Sequence, residues 1–180
     1  TGYHVPKVSV GLPVYNGETY IGAAIESVLS QTFGDLELVI CDNASTDNTE
    51  TICRDYAAKD PRARYNRNDR NLFAGPNYNL TFERATSRSY FRWLAHDDVL
   101  EPTYIEKCYE TLEAMPDAVL CQSLISNVDE HGTELDQYDS GLTVCRSSDS
   151  AADRFGETIL TPHRNTEIFG LVRWEGMNGS

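Results

Sequence analysis

Apolar and polar residues alternate in blocks along the chain, and the blocks switch between two spacings. Strands are predicted at 8–12, 36–41, 63–66, 90–95 and 118–122. The run at 36–41 is nearly continuous apolar, which is typical of a strand covered on both faces, and the run at 90–95 is aromatic. Between these runs, apolar residues recur at helical spacing and predict helices at about 19–31, 48–59, 74–85 and 102–116, the last beginning at Pro102. This alternation is typical of a mostly parallel sheet with helices on both faces, so the predicted fold class is α/β.

The pattern weakens after residue 127. Residues 128–132 predict a turn, 151–158 a short helix and 167–172 one more strand. The 180 residues allow one domain and leave no room for two large ones.

Polar side chains follow three of the predicted strands. The first strand is expected to stop at Pro13, with Tyr15 just beyond it, and the second strand leads into Asp42. The aromatic strand leads into Asp97 and Asp98. Because the carboxyl ends of parallel strands meet at one edge of a sheet, and ligands bind beyond that edge, these side chains form a candidate site.

Two adjacent carboxylates, Asp97 and Asp98, point to a divalent cation. Their charges repel each other, which is costly unless a cation or hydrogen-bond donors offset them. Mg²⁺ and Mn²⁺ prefer such hard oxygen ligands, often only one or two from the protein, with substrate phosphates completing the shell. The alternative is that the pair caps the following helix and that Asp42 is a turn or cap residue. Their joint placement at one edge favours a ligand site.

The charge balance narrows the possible partners. With 15 Lys plus Arg against 28 Asp plus Glu, the net charge is −13, which excludes a broad electrostatic grip on nucleic acid or on an anionic bilayer. A divalent ion would still allow such a protein to bind a phosphate compound.

The targeting features of the sequence and its cysteine pattern favour a cytoplasmic protein. No apolar run is long enough to span a membrane, and no signal peptide is visible. The five cysteines lack a CxxC pair, so free thiols in a reducing cytoplasm are favoured over disulfides or zinc. Peripheral attachment at the inner membrane face stays open.

Four blocks of the sequence resemble family 2 glycosyltransferases. Segments 8–18, 25–33 and 36–47 look like the start of their nucleotide-binding region, and 91–102 looks like their metal-binding motif. The resemblance is clear from about residue 8 to 122 and fainter to 173. It implies one GT-A domain over 1–180, a Rossmann-like, mostly parallel mixed sheet flanked by helices. Its nucleotide-sugar-binding half would lie at about 5–125 and the start of its acceptor-binding half at about 126–180, with the chain incomplete at the C-terminus.

The resemblance also assigns a nucleoside pocket. Pro13 and Tyr15 would line it, with Tyr15 stacking on the base, and Asp42 would accept a hydrogen bond from the base. Arg70 or Arg67 would pair with the base or the diphosphate.

The metal and the general base are assigned in the same way. Asp98 would bind Mn²⁺ or Mg²⁺, and Asp97 would bind the metal or the ribose. The commonest family motif is Asp-x-Asp-Asp, and Ala95 stands in place of its first aspartate. We expect the general base beyond Ser180, the last residue of the chain. Glu167 and Glu175 are weak candidates within it.

The predicted function is therefore metal-assisted, inverting transfer of a sugar from a nucleotide-diphosphate donor to an acceptor hydroxyl. A UDP-sugar is the favoured donor, TDP- and GDP-sugars stay open, and the acceptor is unknown. The alternative is a non-catalytic nucleotide-sugar-binding or scaffold module of the same fold. The substitution at Ala95 and the unidentified base favour that alternative.

Overall fold

The computed structural model describes residues 4–129, 131–138 and 167–174. The strands are β1 (Val8–Val14), β2 (Leu36–Asp42), β3 (Ala63–Arg67), β4 (Tyr90–Trp93), β5 (Leu120–Cys121), β6 (Ile125–Val128), β7 (Glu134–Tyr138) and β8 (Leu171–Arg173). The helices are α1 (Ile21–Leu29), α2 (Thr49–Lys59), α3 (Ala74–Glu83) and α4 (Tyr104–Ala114), and Glu167–Phe169 form a 3₁₀ turn. No helix within the described ranges is long and apolar enough to cross a membrane.

Six strands form one mixed, mostly parallel sheet in the order β3-β2-β1-β4-β8-β5. Strands β1 to β4 run parallel, whereas β8 is antiparallel to both β4 and β5. All seven residues of β1 and of β2 are buried, as expected for central strands that are covered on both faces. The predicted α/β fold class is confirmed.

The two faces of β1 pack against different helices. Val8, Val10 and Leu12 belong to one core cluster with residues of α1 and α4. On the other face, α3 approaches so closely that a Cβ at Gly11 would lie 2.6 Å from Thr81 Cγ2 and 2.7 Å from Phe91 Cζ. Glycine at this position therefore lets α3 lie directly on the sheet. Four cysteines among the described residues are free thiols. Cys41, Cys53 and Cys108 are buried, and Cys121 is half-buried.

Two predicted boundaries differ from the structure. Strand β1 continues past Pro13, because proline removes only one donor and the Val14 carbonyl still accepts from the Asn43 N–H at 2.8 Å. Helix α4 begins at Tyr104, so Pro102 is not its first residue. The Pro102 carbonyl instead accepts the Thr32 N–H at 2.9 Å, which ties this turn to the loop after α1.

Residues Gln122–Gly170 form a second compact unit. Its described part contains the antiparallel hairpin of β6 and β7, which sequence periodicity does not predict. The predicted turn at 128–132 lies between these strands, where Gly132 has a φ of +79° and donates to the Asp129 carbonyl at 3.0 Å. The helix predicted at 151–158 lies outside the described residues. In place of one strand at 167–172, a 3₁₀ turn precedes β8, which lies in the first unit.

Candidate functional site

Asp42 ends β2 at the carboxyl edge of the parallel strands and is fully buried. One carboxylate oxygen accepts the Ser45 N–H at 2.8 Å. The other accepts the Tyr65 hydroxyl at 2.6 Å and an Arg67 guanidinium N–H at 2.8 Å. Burial, followed by this hydrogen bond to Asp42, raises the pKa of Tyr65, so the phenol stays protonated as a donor.

Tyr65 is a site residue that the sequence does not reveal. It pairs with Ile40 in the β2–β3 register, and Arg67 pairs with Asp42. Because alternate residues of a strand share a face, Tyr65 and Arg67 approach the same carboxylate. The two-residue spacing of Tyr65 and Arg67 is the sequence signal that they lie on one face of a strand.

Arg67 and Arg70, the alternatives for one role, lie in different settings. Arg67 is held by Asp42, by Glu50 at 3.3 Å and by the Ser45 carbonyl at 3.0 Å. Arg70 is exposed and makes no hydrogen bond or ion pair with the residues that the structure describes. Both line a cavity of about 530 Å³ that the following residues complete: Asn68, Asp69, Leu72, Leu80 and Arg84. The cavity thus brings three guanidinium groups together in an acidic protein.

The loop after β1 is tied to the loop after β2. The Asn16 N–H donates to Ser45 Oγ at 2.9 Å, and the Gly17 N–H donates to Thr49 Oγ1 at 2.9 Å. Pro13 is buried in the strand, whereas Tyr15 is 44% exposed just beyond it. Both residues are predicted to contact a nucleoside, and of the two it is Tyr15 that is accessible to a ligand.

The loop after β4 meets the loop after β1. A Cβ at Gly17 would lie 2.6 Å from His96 Cδ2, so these loops are in direct contact. The Asp97 side chain is 58% exposed, with its Oδ1 3.8 Å from His96 Nδ1. Asp98 is also exposed, and its backbone N–H donates to the Ala95 carbonyl at 3.2 Å. The ends of β1, β2 and β4 therefore form one continuous edge.

Restricted hydration by the surrounding protein, followed by the charge of Asp97, raises the pKa of Asp98. The positive charge of Arg92 opposes this rise only in part. Two carboxylates with uncompensated repulsion suit a divalent cation. Within the described ranges, no group of three or more His, Cys, Asp or Glu side chains could hold a metal ion, so further ligands would have to come from substrate or water.

Backbone strain is concentrated at this same edge. Among the described residues, the non-glycine residues with positive φ are Asn16 at 52°, Ala44 at 62° and Phe73 at 66°. Such conformations cost roughly 1–3 kcal/mol each and cluster at binding and active sites. All three lie in loops that border the ends of β1 and β2 or precede α3.

The candidates for the general base lie elsewhere in the chain or beyond it. Glu167 begins the 3₁₀ turn of the second unit. Glu175 and Ser180, the residue after which we expect the base, both lie outside the described residues. A base beyond Ser180 therefore stays a prediction.

The chain is similar in fold to solved structures of two proteins. S. aureus TarS 1–349 in complex with UDP-GlcNAc is 25% identical, with a TM-score of 0.56 over 60% of this chain and 31% of TarS 1–349. The mannosyltransferase PcManGT from Pyrobaculum calidifontis, in complex with GDP-Man and Mn²⁺, has a TM-score of 0.60 over 68% of this chain and 36% of that enzyme. At 22% identity it shows the fold alone. These likenesses confirm the predicted GT-A fold.

Sequence comparison identifies the family of the chain. Chondroitin synthase from Escherichia coli is 34% identical over 129 residues, which is 71% of this chain but 18% of that protein. The chain thus spans less than a fifth of this relative. The family model described as "Glycosyl transferase family 2" matches residues 9–165, so the chain belongs to glycosyl transferase family 2.

Proposed function

We propose that the chain binds a nucleotide-diphosphate sugar, with a UDP-sugar favoured, and transfers the sugar with inversion to an acceptor hydroxyl. The observation that carries this proposal is the single edge that holds Asp42, with Tyr65 and Arg67, at the end of β2 and the loop of Asp97 and Asp98 after β4. The loop after β1 lies between them and contacts both sides. Family membership and the likeness to TarS, which was solved with UDP and with UDP-GlcNAc, support the donor class.

The nucleoside would lie at the ends of β1 and β2. Tyr15, exposed and aromatic, would stack on the base, with Pro13 shaping the strand end behind it. Three donors use three of the roughly four lone-pair positions of the Asp42 carboxylate, which leaves one for a base N–H. The remaining position is on the oxygen that accepts the Ser45 N–H, and because Asp42 is fully buried, that contact requires the residues around it to move slightly. Arg70 is free to pair with the diphosphate.

Asp98 and Asp97 would hold Mn²⁺ or Mg²⁺. The residues fit such an ion, because both donors are carboxylates, and restricted hydration, followed by the charge of Asp97, raises the pKa of Asp98. When bound, the ion supplies positive charge that stabilises the leaving diphosphate.

Inversion requires a base on the side of the sugar opposite the leaving group. A carboxylate there would take the proton of the acceptor hydroxyl as its oxygen attacks the anomeric carbon. Glu167 and Glu175 stay weak candidates within the chain, and a residue beyond Ser180 stays the favoured one.

Thermal unfolding with nucleotides and metal tests the binding proposal. UDP with Mn²⁺ should raise the melting temperature, because a ligand at 100 times its Kd adds about 2.7 kcal/mol to folded-state stability. Asp98→Asn should abolish the metal-dependent part of the shift, whereas Asp55→Asn, at an exposed position on α2, should keep it.

Two results would contradict these assignments. If UDP, TDP and GDP give no metal-dependent shift with the folded chain, the donor-binding proposal is wrong. If Asp98→Asn responds to metal like the parent, only the metal assignment is wrong.

A non-catalytic nucleotide-sugar-binding or scaffold module is the second candidate. Ala95 at the first motif position and the unidentified general base favour it. Incubating the chain with UDP-sugars and Mn²⁺ separates the two candidates. Steady release of UDP indicates turnover, whereas stabilisation by UDP without any release from UDP-sugars indicates the module.

A further inference from the structure

Phe73 has an apolar side chain that is exposed to solvent. It immediately precedes α3, and its 82% exposure is the highest of any large hydrophobic residue in the described ranges. A single exposed apolar residue is ordinary on a protein surface. This one, however, lies at the edge that carries the candidate site.

Its backbone is also in a conformation that favours glycine. Phe73 has φ 66° and ψ 172°, a region that residues with a Cβ rarely adopt. A glycine here would avoid both the strain and the exposed ring. Neither cost is offset by packing of the ring, because the ring is exposed.

Two asparagines hold Phe73 in this conformation. The Phe73 N–H donates to Asn71 Oδ1 at 2.8 Å, and its carbonyl accepts from Asn43 Nδ2 at 3.2 Å. Asn43 Nδ2 also donates to Asn71 Oδ1 at 2.9 Å, and Asn43 Oδ1 accepts the Leu72 N–H at 2.8 Å. The loop is therefore fixed by several hydrogen bonds rather than by the ring.

These bonds place Phe73 beside the end of β2. Asn43 directly follows Asp42 and is only 3% exposed, so it is a rigid anchor for the loop. We propose that Phe73 is a second aromatic wall of the nucleoside subsite, whose ring packs against the planar base of the bound nucleotide. This inference rests on the proposed function, because it needs a nucleotide at the ends of β1 and β2.

The chemistry fits a base better than a diphosphate. A phenyl ring offers no hydrogen-bond donor or charge, so it adds nothing to phosphate binding, whereas it stacks on any planar heterocycle. The phenyl ring is exposed in the free chain. Packing against the base would remove its apolar surface from water, which favours binding.

Phe73→Gly separates a ligand role from a structural one. Glycine relieves the backbone strain, so the melting temperature of the ligand-free variant should stay the same or rise. Its Kd for UDP with Mn²⁺, measured by calorimetry, should rise about tenfold, because stacking is worth ~1–3 kcal/mol per base. Its Kd for inorganic pyrophosphate with Mn²⁺ should not change. Phe73→Trp should keep UDP affinity, and Met115→Ala, an exposed apolar control after α4, should match the parent.

The outcomes also separate this inference from the proposed function. If the parent binds no nucleoside diphosphate, both fail. If the parent binds UDP and Phe73→Gly binds it equally well, only the role of Phe73 is wrong. A loss of pyrophosphate affinity equal to the loss of UDP affinity would likewise overturn base stacking.

Discussion

Arg67 and Arg70 are three residues apart, yet the structure gives them different physical roles. Arg67 donates to a carboxylate that has no access to water, and its removal would leave Asp42 short of a charged donor. Arg70 lies on the wall of a cavity, exposed to solvent. One arginine is therefore part of the fold, and the other is available for a ligand.

We expect Arg67→Ala to lower the free energy of unfolding by about 1–3 kcal/mol, because a buried carboxylate loses a charged hydrogen bond. Arg70→Ala should change it by no more than about 0.5 kcal/mol, as for other surface substitutions, while weakening UDP binding several-fold. Urea titration and calorimetry measure the two quantities. Equal destabilisation by both substitutions would contradict the division of roles.

At the scale of secondary-structure elements, the Glu37 side chain of β2 links β1, β3 and the loop after α3. It lies on the face of the sheet opposite the core cluster. From β2 it accepts the Ser9 hydroxyl of β1 at 2.5 Å and an Arg64 N–H of β3 at 2.7 Å. It also accepts from the Thr86 hydroxyl at 2.9 Å. Burial alone would raise the pKa of Glu37, but the hydrogen bonds from Ser9, Thr86 and Arg64 together lower it.

The sign of this shift sets the pH dependence. A carboxyl group with a lowered folded-state pKa stabilises the fold above its unfolded pKa, about 4.3 for Glu, and loses that contribution as pH falls through the folded value. Glu37→Gln should cost about 2 kcal/mol at neutral pH, and the difference from the parent should shrink in acid. Urea titrations from neutral pH into acid measure it, with exposed Glu83→Gln as the control. A difference that is constant with pH would contradict the ionised role of Glu37.

Sequence periodicity predicts those elements whose burial is regular. β1 and β2 are buried at every position, so their apolar runs were visible. The polar residues that end β2 and follow β4 led to Asp42 and to the loop of Asp98. The hairpin of β6 and β7 was missed because its residues are almost all exposed and show no apolar face.

The remaining site residues could not be predicted, because their roles depend on contacts between distant segments. Tyr65 becomes a partner of Asp42 only through the β2–β3 register. Phe73 is held in its strained conformation partly by Asn43, which lies 30 residues earlier. The spacing of two between Tyr65 and Arg67 places them on one face of a strand, but no local pattern shows that this face meets Asp42.

At the scale of the whole molecule, the net charge of −13 acts on both ligand binding and stability. In the proposed function an anionic donor would approach an acidic protein, so a divalent ion and the cavity arginines would have to offset the repulsion. The same excess of carboxylates repels itself in the folded state. Exposed ion pairs such as Arg54–Glu50 contribute little against this repulsion.

We therefore expect the free energy of unfolding to rise as NaCl increases from about 0.01 M to about 1 M, which shortens the Debye length from roughly 30 Å to roughly 3 Å. Urea, being uncharged, is the suitable denaturant. Glu110→Lys provides the matched test, because Glu110 is exposed on α4 with Glu106 one turn before it and Glu113 one turn after it. This variant should be more stable than the parent at low salt by about 0.5 kcal/mol and should gain less from added salt. Stability that falls with salt would mean that attractive ion pairs outweigh the net charge.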